Sequence, residues 1–335
     1  MKRESASQEE LIKQVQKLLE ERGRKALEMA KETVLQEKVE CKEVREALNY
    51  FMTEYWQDLA RPALLSLCCE AVGGDPDVTT PIAISTMLIG GAIDIHDDII
   101  DQSETKRSRP TVMGKFGKDI ALLVGDALLF KGLTLLHETS EMGVPIEKIS
   151  ILSNIIKRMF FELGDAEALE LQFRGRIDVT PERYLQVVKK KAADVEAHTR
   201  ISAILGGGSE EEIEALAKYG RLLGMAIILR DDWIDMFDVK EIRHRIKKEH
   251  LPLPLLYVLR NPKNKSMLKS IMLKEKITKK DVEAILEIIY EAGGFEYMKK
   301  LMQKLIDDAE SILPSNVHNR KILKLLIQST IPPLP

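Results

Sequence analysis

Residues 92–111 read AIDIHDDIIDQSETKRSRPT and continue the apolar run PIAISTMLIGGAI of residues 81–93. Asp94, Asp97, Asp98 and Asp101 fall within eight positions. On a helix these are i, i+3, i+4 and i+7, so all four carboxylates share one face. Like charges at that spacing repel, and a solvated acidic face ordinarily mixes glutamate with lysine. This stripe is all aspartate and follows an apolar segment directly, which points to a cavity wall.

A second stretch repeats the pattern. LGMAIILRDDWIDMFD, residues 223–238, places Asp231, Asp232, Asp235 and Asp238 after another apolar run. The two DDxxD spacings lie 134 residues apart, from Asp97 to Asp231. Two facing helices so lined form a strongly negative cage that is stable only with cations in it. Oxygen-only ligands suit Mg²⁺, which keeps several waters and bridges carboxylates to phosphates. Zinc is disfavoured, since His96 is the only His or Cys within the motifs and lies off the stripe, as a packing or supporting residue. The implied substrate is a phosphate or diphosphate ester.

Bulk properties bound the alternatives. With 335 residues and a net charge of −3, the chain has room for a large core and no basic excess, so nucleic acid is not an expected partner. Cys41, Cys68 and Cys69 are odd in number and lack metal-type spacing, which suits reduced thiols and a cytoplasmic location. The opening MKRESASQEELIKQ has no apolar signal core, and no uninterrupted apolar run reaches membrane-spanning length. A Ca²⁺-binding or basic-partner scaffold is the competing class, but glycine-centred calcium loops are missing.

Helical periodicity recurs almost throughout. Residues 11–30 place Leu11, Val15, Leu18, Leu19, Ala26 and Met29 at helical spacing, and helices are predicted near 44–55 and 61–72. Breaks fall near Gly143–Pro145, Asp178–Pro181, Gly206–Ser209, Leu251–Pro254, Asn261–Pro262 and Gly293–Gly294. No solenoid repeat or low-complexity linker divides the chain. One all-α domain over residues 1–335, with ten or more helices, fits this pattern. TIPPLP at the end reads as a terminator.

The paired motifs resemble those of the polyprenyl synthetase family, the trans-isoprenyl diphosphate synthases, over about residues 45–260, with further helices at 265–330. The resemblance implies an isoprenoid synthase bundle around a deep central cavity, several Mg²⁺ ions, and a homodimer, with a heteromer as the other arrangement. It implies metal ligation by Asp97, Asp98, Asp101, Asp231, Asp232 and Asp235, with Asp94 and Asp238 as outer members. KRSRPT resembles the family's RRGxPT, so Lys106 and Arg107 would grip diphosphates. ARPALL resembles the end of GGKxxRPALL and nominates Arg61 for the second substrate's diphosphate. VKKKAADV nominates Lys191, and KKEHLPLPLL nominates Lys248. AEALEL stands where the family has GQxLDL, with Glu167 for glutamine and Glu170 for aspartate.

The implied reaction joins an allylic prenyl diphosphate to isopentenyl diphosphate without a protein nucleophile. Ala92 and Ile93, with Gly90 and Gly91 beyond, occupy positions whose bulk floors the family's hydrocarbon tunnel; small residues there imply products of C20 or longer. The departures gather on the acceptor side. Asp58 replaces a family lysine, Gly90 a His or Gln, and Ile227–Ile228 an FQ pair. Three chemistries remain open: elongation; prenyl transfer to another acceptor or class I cyclisation; and a weakly active regulatory subunit. Phe160, Phe161, Trp233 and Phe237 are the aromatics available to a cyclase.

Overall fold

The computed structural model describes residues 2–106, 108–315 and 317–332, with side chains from Gln8 onward. Sixteen α-helices fill the described residues. Helix α1 spans Lys2–Leu35, α2 Lys42–Tyr50, α3 Ala60–Ala71 and α4 Thr80–Ile100. A two-residue ladder follows, β1 (Thr105–Lys106) antiparallel to β2 (Arg109–Pro110), pairing Lys106 with Arg109. Next come α5 (Val112–Phe116), α6 (Lys118–Glu138), α7 (Ile146–Leu171), α8 (Pro181–Lys191), α9 (Ala193–Leu205) and α10 (Glu210–Phe237). The chain continues through α11 (Val239–Lys248), α12 (Leu253–Val258), α13 (Pro262–Met272), α14 (Lys279–Glu291), α15 (Gly294–Ile312) and α16 (Arg320–Gln328).

The predicted breaks fall between these helices, and local chemistry explains them. Thr180 caps α8 through Arg183 N with Pro181 at the first turn, where its missing N–H costs nothing. Ser209 and Glu212 close a reciprocal capping box at the start of α10. Asp238, an expected outer member of the second acid row, instead caps α11, accepting from Lys240 N and Glu241 N. The hairpin β1–β2 was not expected. It turns the chain back so that Lys106 reaches the end of α4.

Each acid-bearing helix is backed by a close glycine contact. Along α6, a Cβ at Gly132 would lie 2.7 Å from Ile89 Cγ1 and 2.8 Å from Ser85 O, and one at Gly125 would meet His96 Nε2. Ser85 Oγ donates to Gly132 O at 2.7 Å. His96, off the acid stripe as anticipated, packs there and faces Asp126 at 3.2 Å. Along α10, Gly220 and Gly224 admit Thr199, Val195 and Ala192 of the α8–α9 segment. Three apolar clusters surround this frame; α1, α3 and α9 contribute to two of them, and α10 also to two.

Among the described residues, two helices are long and apolar enough to cross a membrane by length and composition, although charges such as Asp94 in one and Asp126 and Lys131 in the other leave no uninterrupted apolar run of that length. The window in the Pro76–Ile100 segment is 72% buried inside the fold, as befits a core helix, against 39% for α6.

Gly132→Ala should destabilise the protein by about 1–3 kcal/mol, because backbone and Ile89 crowd the new methyl. Chemical denaturation checks this; unchanged stability would show that α4 and α6 separate freely.

Candidate active site

The last turn of α4 presents the first acid row. Lys106 Nζ lies 2.7 Å from Asp98 Oδ1 and 3.3 Å from Asp97 Oδ2. Asp101, just past the helix, accepts from Arg174 Nη2 at 2.8 Å. Asp97 Oδ1 is buried with no hydrogen-bond partner. Burial, followed by the neighbouring Asp97 and Asp94 charges, outweighs Lys106 and pushes Asp98 up to about 6. Burial and the charges of Asp97 and Glu249 push Asp101 up to about 7. At Asp97 burial also acts upward, but Lys106 and Lys191 prevail and hold it below the usual carboxylate range.

Beside this row, Lys191 Nζ at the end of α8 is 2.8 Å from Glu167 and 2.6 Å from Glu170 on α7. Burial pushes Glu167 up to about 7, whereas Lys191 and His250 overcome burial at Glu170 and hold it low. His250 Nδ1 faces Glu170 Oε1 at 3.5 Å, and its Nε2 lies 3.2 Å from Tyr184 Oη.

The second row sits at the end of α10. Asp232 is buried; its Oδ2 accepts from Tyr184 Oη at 2.7 Å and from Leu253 N at 3.2 Å, and its Oδ1 takes Arg245 Nη2. Arg245 Nη1 donates to Asp235 Oδ2 at 3.0 Å. Burial and the charges of Asp232, Glu241 and Asp231 carry Asp235 up to about 6 despite Arg245. Asp231 is half-buried, and its Oδ1 accepts from Arg230 Nη2 at 2.9 Å. Helix α11 joins the two rows: Arg245 faces the second, while His244 Nε2 lies 3.2 Å from Asp101 O and Lys248 Nζ donates to Gln102 Oε1 at 3.3 Å.

On the acceptor side, Arg61 is held by carboxylates. Its Nη1 reaches Asp58 Oδ2 at 2.8 Å, its Nε reaches Asp194 Oδ2 at 3.1 Å, and its Nη2 lies 3.5 Å from Asp94 Oδ1. Gly90 makes room for it, since a Cβ there would come within 2.8 Å of the guanidinium. Asp58 Oδ1 also accepts from Ala60 N and Arg61 N at the start of α3. Arg107 lies outside the described residues. Ala92 is buried and Ile93 half-buried, in the cluster that holds Phe51 and Trp56.

The aromatics offered for cation stabilisation do not gather at the acid rows. Phe160 and Phe161 are exposed on α7, and Trp233 and Phe237 pack on Phe295. The motifs do not nominate Arg174, Tyr184, Asp194, His244, Arg245, Glu249 or His250, although Asp194 lies in VKKKAADV, Glu249 and His250 in KKEHLPLPLL, and His244 and Arg245 in the basic run RHRIKK that begins five residues after Asp238.

Among the described residues, no three metal-ligating side chains already converge into a cage. The donors nevertheless fit magnesium. They are all oxygens, one of them is a buried orphan, and burial makes Asp98, Asp101 and Asp235 hold protons more tightly than normal. Substrate oxygens and water would complete the coordination.

A family model for polyprenyl synthetases matches residues 42–289, and the chain belongs to that family of prenyltransferases. It is 31% identical over 255 residues to a geranylgeranyl diphosphate synthase of Methanosarcina mazei, covering 76% of this chain and 78% of that one. It is 32% identical over 243 residues to a short chain isoprenyl diphosphate synthase of Methanothermobacter thermautotrophicus, covering 71% and 74%. The fold is similar to the crystal structure of geranylgeranyl pyrophosphate synthetase from Pyrococcus horikoshii, with a TM-score of 0.82, 28% identity, and 96% and 98% of the chains covered.

The buried acids predict a pH profile. Asp98, Asp101, Glu167 and Asp235 bind protons more tightly folded than unfolded, so their contribution is fully present below the unfolded pKa and is lost as pH rises through about 6 to 7. Asp97, Glu170 and Glu249 are shifted down, and their contribution is lost only in stronger acid. His250, held low by burial, opposes the trend, and His244, raised first by its Glu249 bond, supports it. Metal-free protein should melt higher at about pH 6 than at about pH 8, and added Mg²⁺ should narrow the gap. A flat or inverted metal-free profile in thermal melts would contradict these burial effects.

Proposed function

We propose that this chain is an elongating prenyl diphosphate synthase. It ionises an allylic prenyl diphosphate and joins the chain to isopentenyl diphosphate, giving a polyprenyl diphosphate of C20 or longer. The observation that carries this reading is the gathering of Asp97, Asp98, Asp101, Lys106, Lys191 and Lys248 with the second acid row through α11. The relatives' names, geranylgeranyl diphosphate synthase among them, support the product class.

In this reaction the allylic C–O bond breaks and diphosphate leaves with the electron pair. The acceptor's double bond then forms the new C–C bond, and a proton is lost. Lys106, Lys191 and Lys248 would hold the leaving diphosphate by charge-assisted hydrogen bonds. Asp97, Asp98 and Asp101, with Asp231 on the second row, would hold magnesium, while Asp232 and Asp235, which the motif also nominates, are engaged by Arg245. Magnesium, when bound, neutralises charge developing on the leaving oxygens. The clamp on Arg61 is the feature that favours a different acceptor, and the assay below separates the two.

Purified protein with Mg²⁺, C10 to C20 allylic diphosphates and isopentenyl diphosphate should yield elongated chains, and only with the acceptor present. Asp97→Asn should lower kcat on the order of 10²-fold. Ala92→Phe should shorten the product. Alcohols or cyclic hydrocarbons made without the acceptor would replace this reading with ionisation chemistry, and no turnover would favour a regulatory subunit. Release of no inorganic diphosphate at all would favour a scaffold.

A homodimer is part of the proposal. Helix α6 exposes Leu123, Phe130 and Leu133, and α7 exposes Ile151 and Phe161; Phe130 is 71% and Phe161 75% exposed. Apolar surface of this kind marks a contact face. Free, buried Cys68 and Cys69 suit the cytoplasm as its location. Leu123→Glu with Phe130→Glu should give monomers in analytical ultracentrifugation, and a dimer surviving both changes would place the contact elsewhere.

A further inference from the structure

The two acid rows share a motif but not a state. In the first, the paired aspartates lean on Lys106, whose side chain is 41% exposed at the end of a flexible stem. Asp97 keeps a buried oxygen with no donor. That row is open to a cation, because a lysine that snorkels to water leaves at little cost.

The second row is already neutralised from within. Arg245, only 11% exposed, spans Asp232 Oδ1 and Asp235 Oδ2 with its two terminal nitrogens. Its Nη2 also lies 3.0 Å from His250 Nε2, and its Nε faces Glu249 Oε2 at 3.5 Å. A planar guanidinium bridging two carboxylates is held far more rigidly than an ammonium. Asp232 has no lone pair facing open space: Tyr184 and Leu253 N occupy the oxygen that Arg245 leaves. The donors come from α8, α11 and the start of α12, so Asp232 ties three elements together.

Resting on the magnesium reading above, we propose that Arg245 is the resident counter-ion of the second acid row, standing where a divalent cation would otherwise bind Asp232 and Asp235. Metal would then be held by Asp97, Asp98 and Asp101 and, on the second row, by the half-buried Asp231 alone, in place of its Arg230 contact. Arg245 is a positioning residue. It holds α11 against α10, and thereby sets Lys248 and His244 over the first row, whether or not metal is bound.

The test counts manganese taken up by the folded full chain, with Mn²⁺ alone as the probe and loss of its free-ion EPR signal as the readout. Arg245→Gln should bind one more ion per chain than the wild type. Arg245→Lys should bind no more than the wild type, and adding Asp235→Asn to Arg245→Gln should abolish the gain. Equal ion counts in Arg245→Gln and wild type overturn the proposal, whatever the number. Should circular dichroism show Arg245→Gln unfolded, Asp232→Asn decides. An unchanged count supports the proposal, and a lost ion makes Asp232 a ligand and overturns it. An Asp97→Asn variant that binds manganese as well as the wild type counts against the magnesium reading of the first row, leaving the Arg245 comparison to stand by itself.

Discussion

Carboxylates removed from water must meet positive charge or take up protons, and this requirement governs the centre of the molecule. Among the described residues, Asp97, Asp98, Asp101, Glu167, Glu170, Asp232, Asp235 and Glu249 face four fixed cations, Lys106, Arg174, Lys191 and Arg245. Burial pushes Asp98, Asp101, Glu167 and Asp235 up to about 6 or 7, whereas the neighbouring cations hold Asp97, Glu170 and Glu249 low. So dense a cluster of buried charge persists only if the surrounding fold is stiff enough to keep it from relaxing.

That stiffness comes from close helix packing. Glycines bring α6 onto α4 and α10 onto the α8–α9 segment, so the acid-bearing helices have little freedom to slide. Short α11 then crosses between their ends. Its N-terminus is fixed by Asp238, and its inner face carries Arg245 toward one row and His244 toward the other.

The helical architecture was largely legible, because capping residues and glycines mark most helix ends and apolar periodicity fills the intervals. The acid rows were legible from their spacing, which states a shared face, while Lys106 and Lys191 were nominated only by the resemblance of KRSRPT and VKKKAADV to family segments. The supporting residues were not. Tyr184 and Asp194 are unremarkable in sequence, and they matter only because α8 runs beside the end of α10 and α9 packs on α3, which carries Arg61. Asp238 shows the opposite failure: it continued the i+7 pattern, but the helix had ended and its carboxylate went to the next cap. A periodicity argument assumes that the helix persists. The hairpin was hidden for a related reason, since two paired residues leave no alternation to read.

The seat of Arg61 has a consequence for how this chain could have diverged. Asp58 both starts α3 and binds the guanidinium, Asp194 holds its other edge, and the bare backbone at Gly90 supplies the space. Exchanging any one of the three leaves the others wrong: a lysine at 58 uncaps a helix and strands Asp194, and a side chain at 90 evicts the arginine. These positions form one structural unit, so a change at any one of them is accommodated only with changes at the other two.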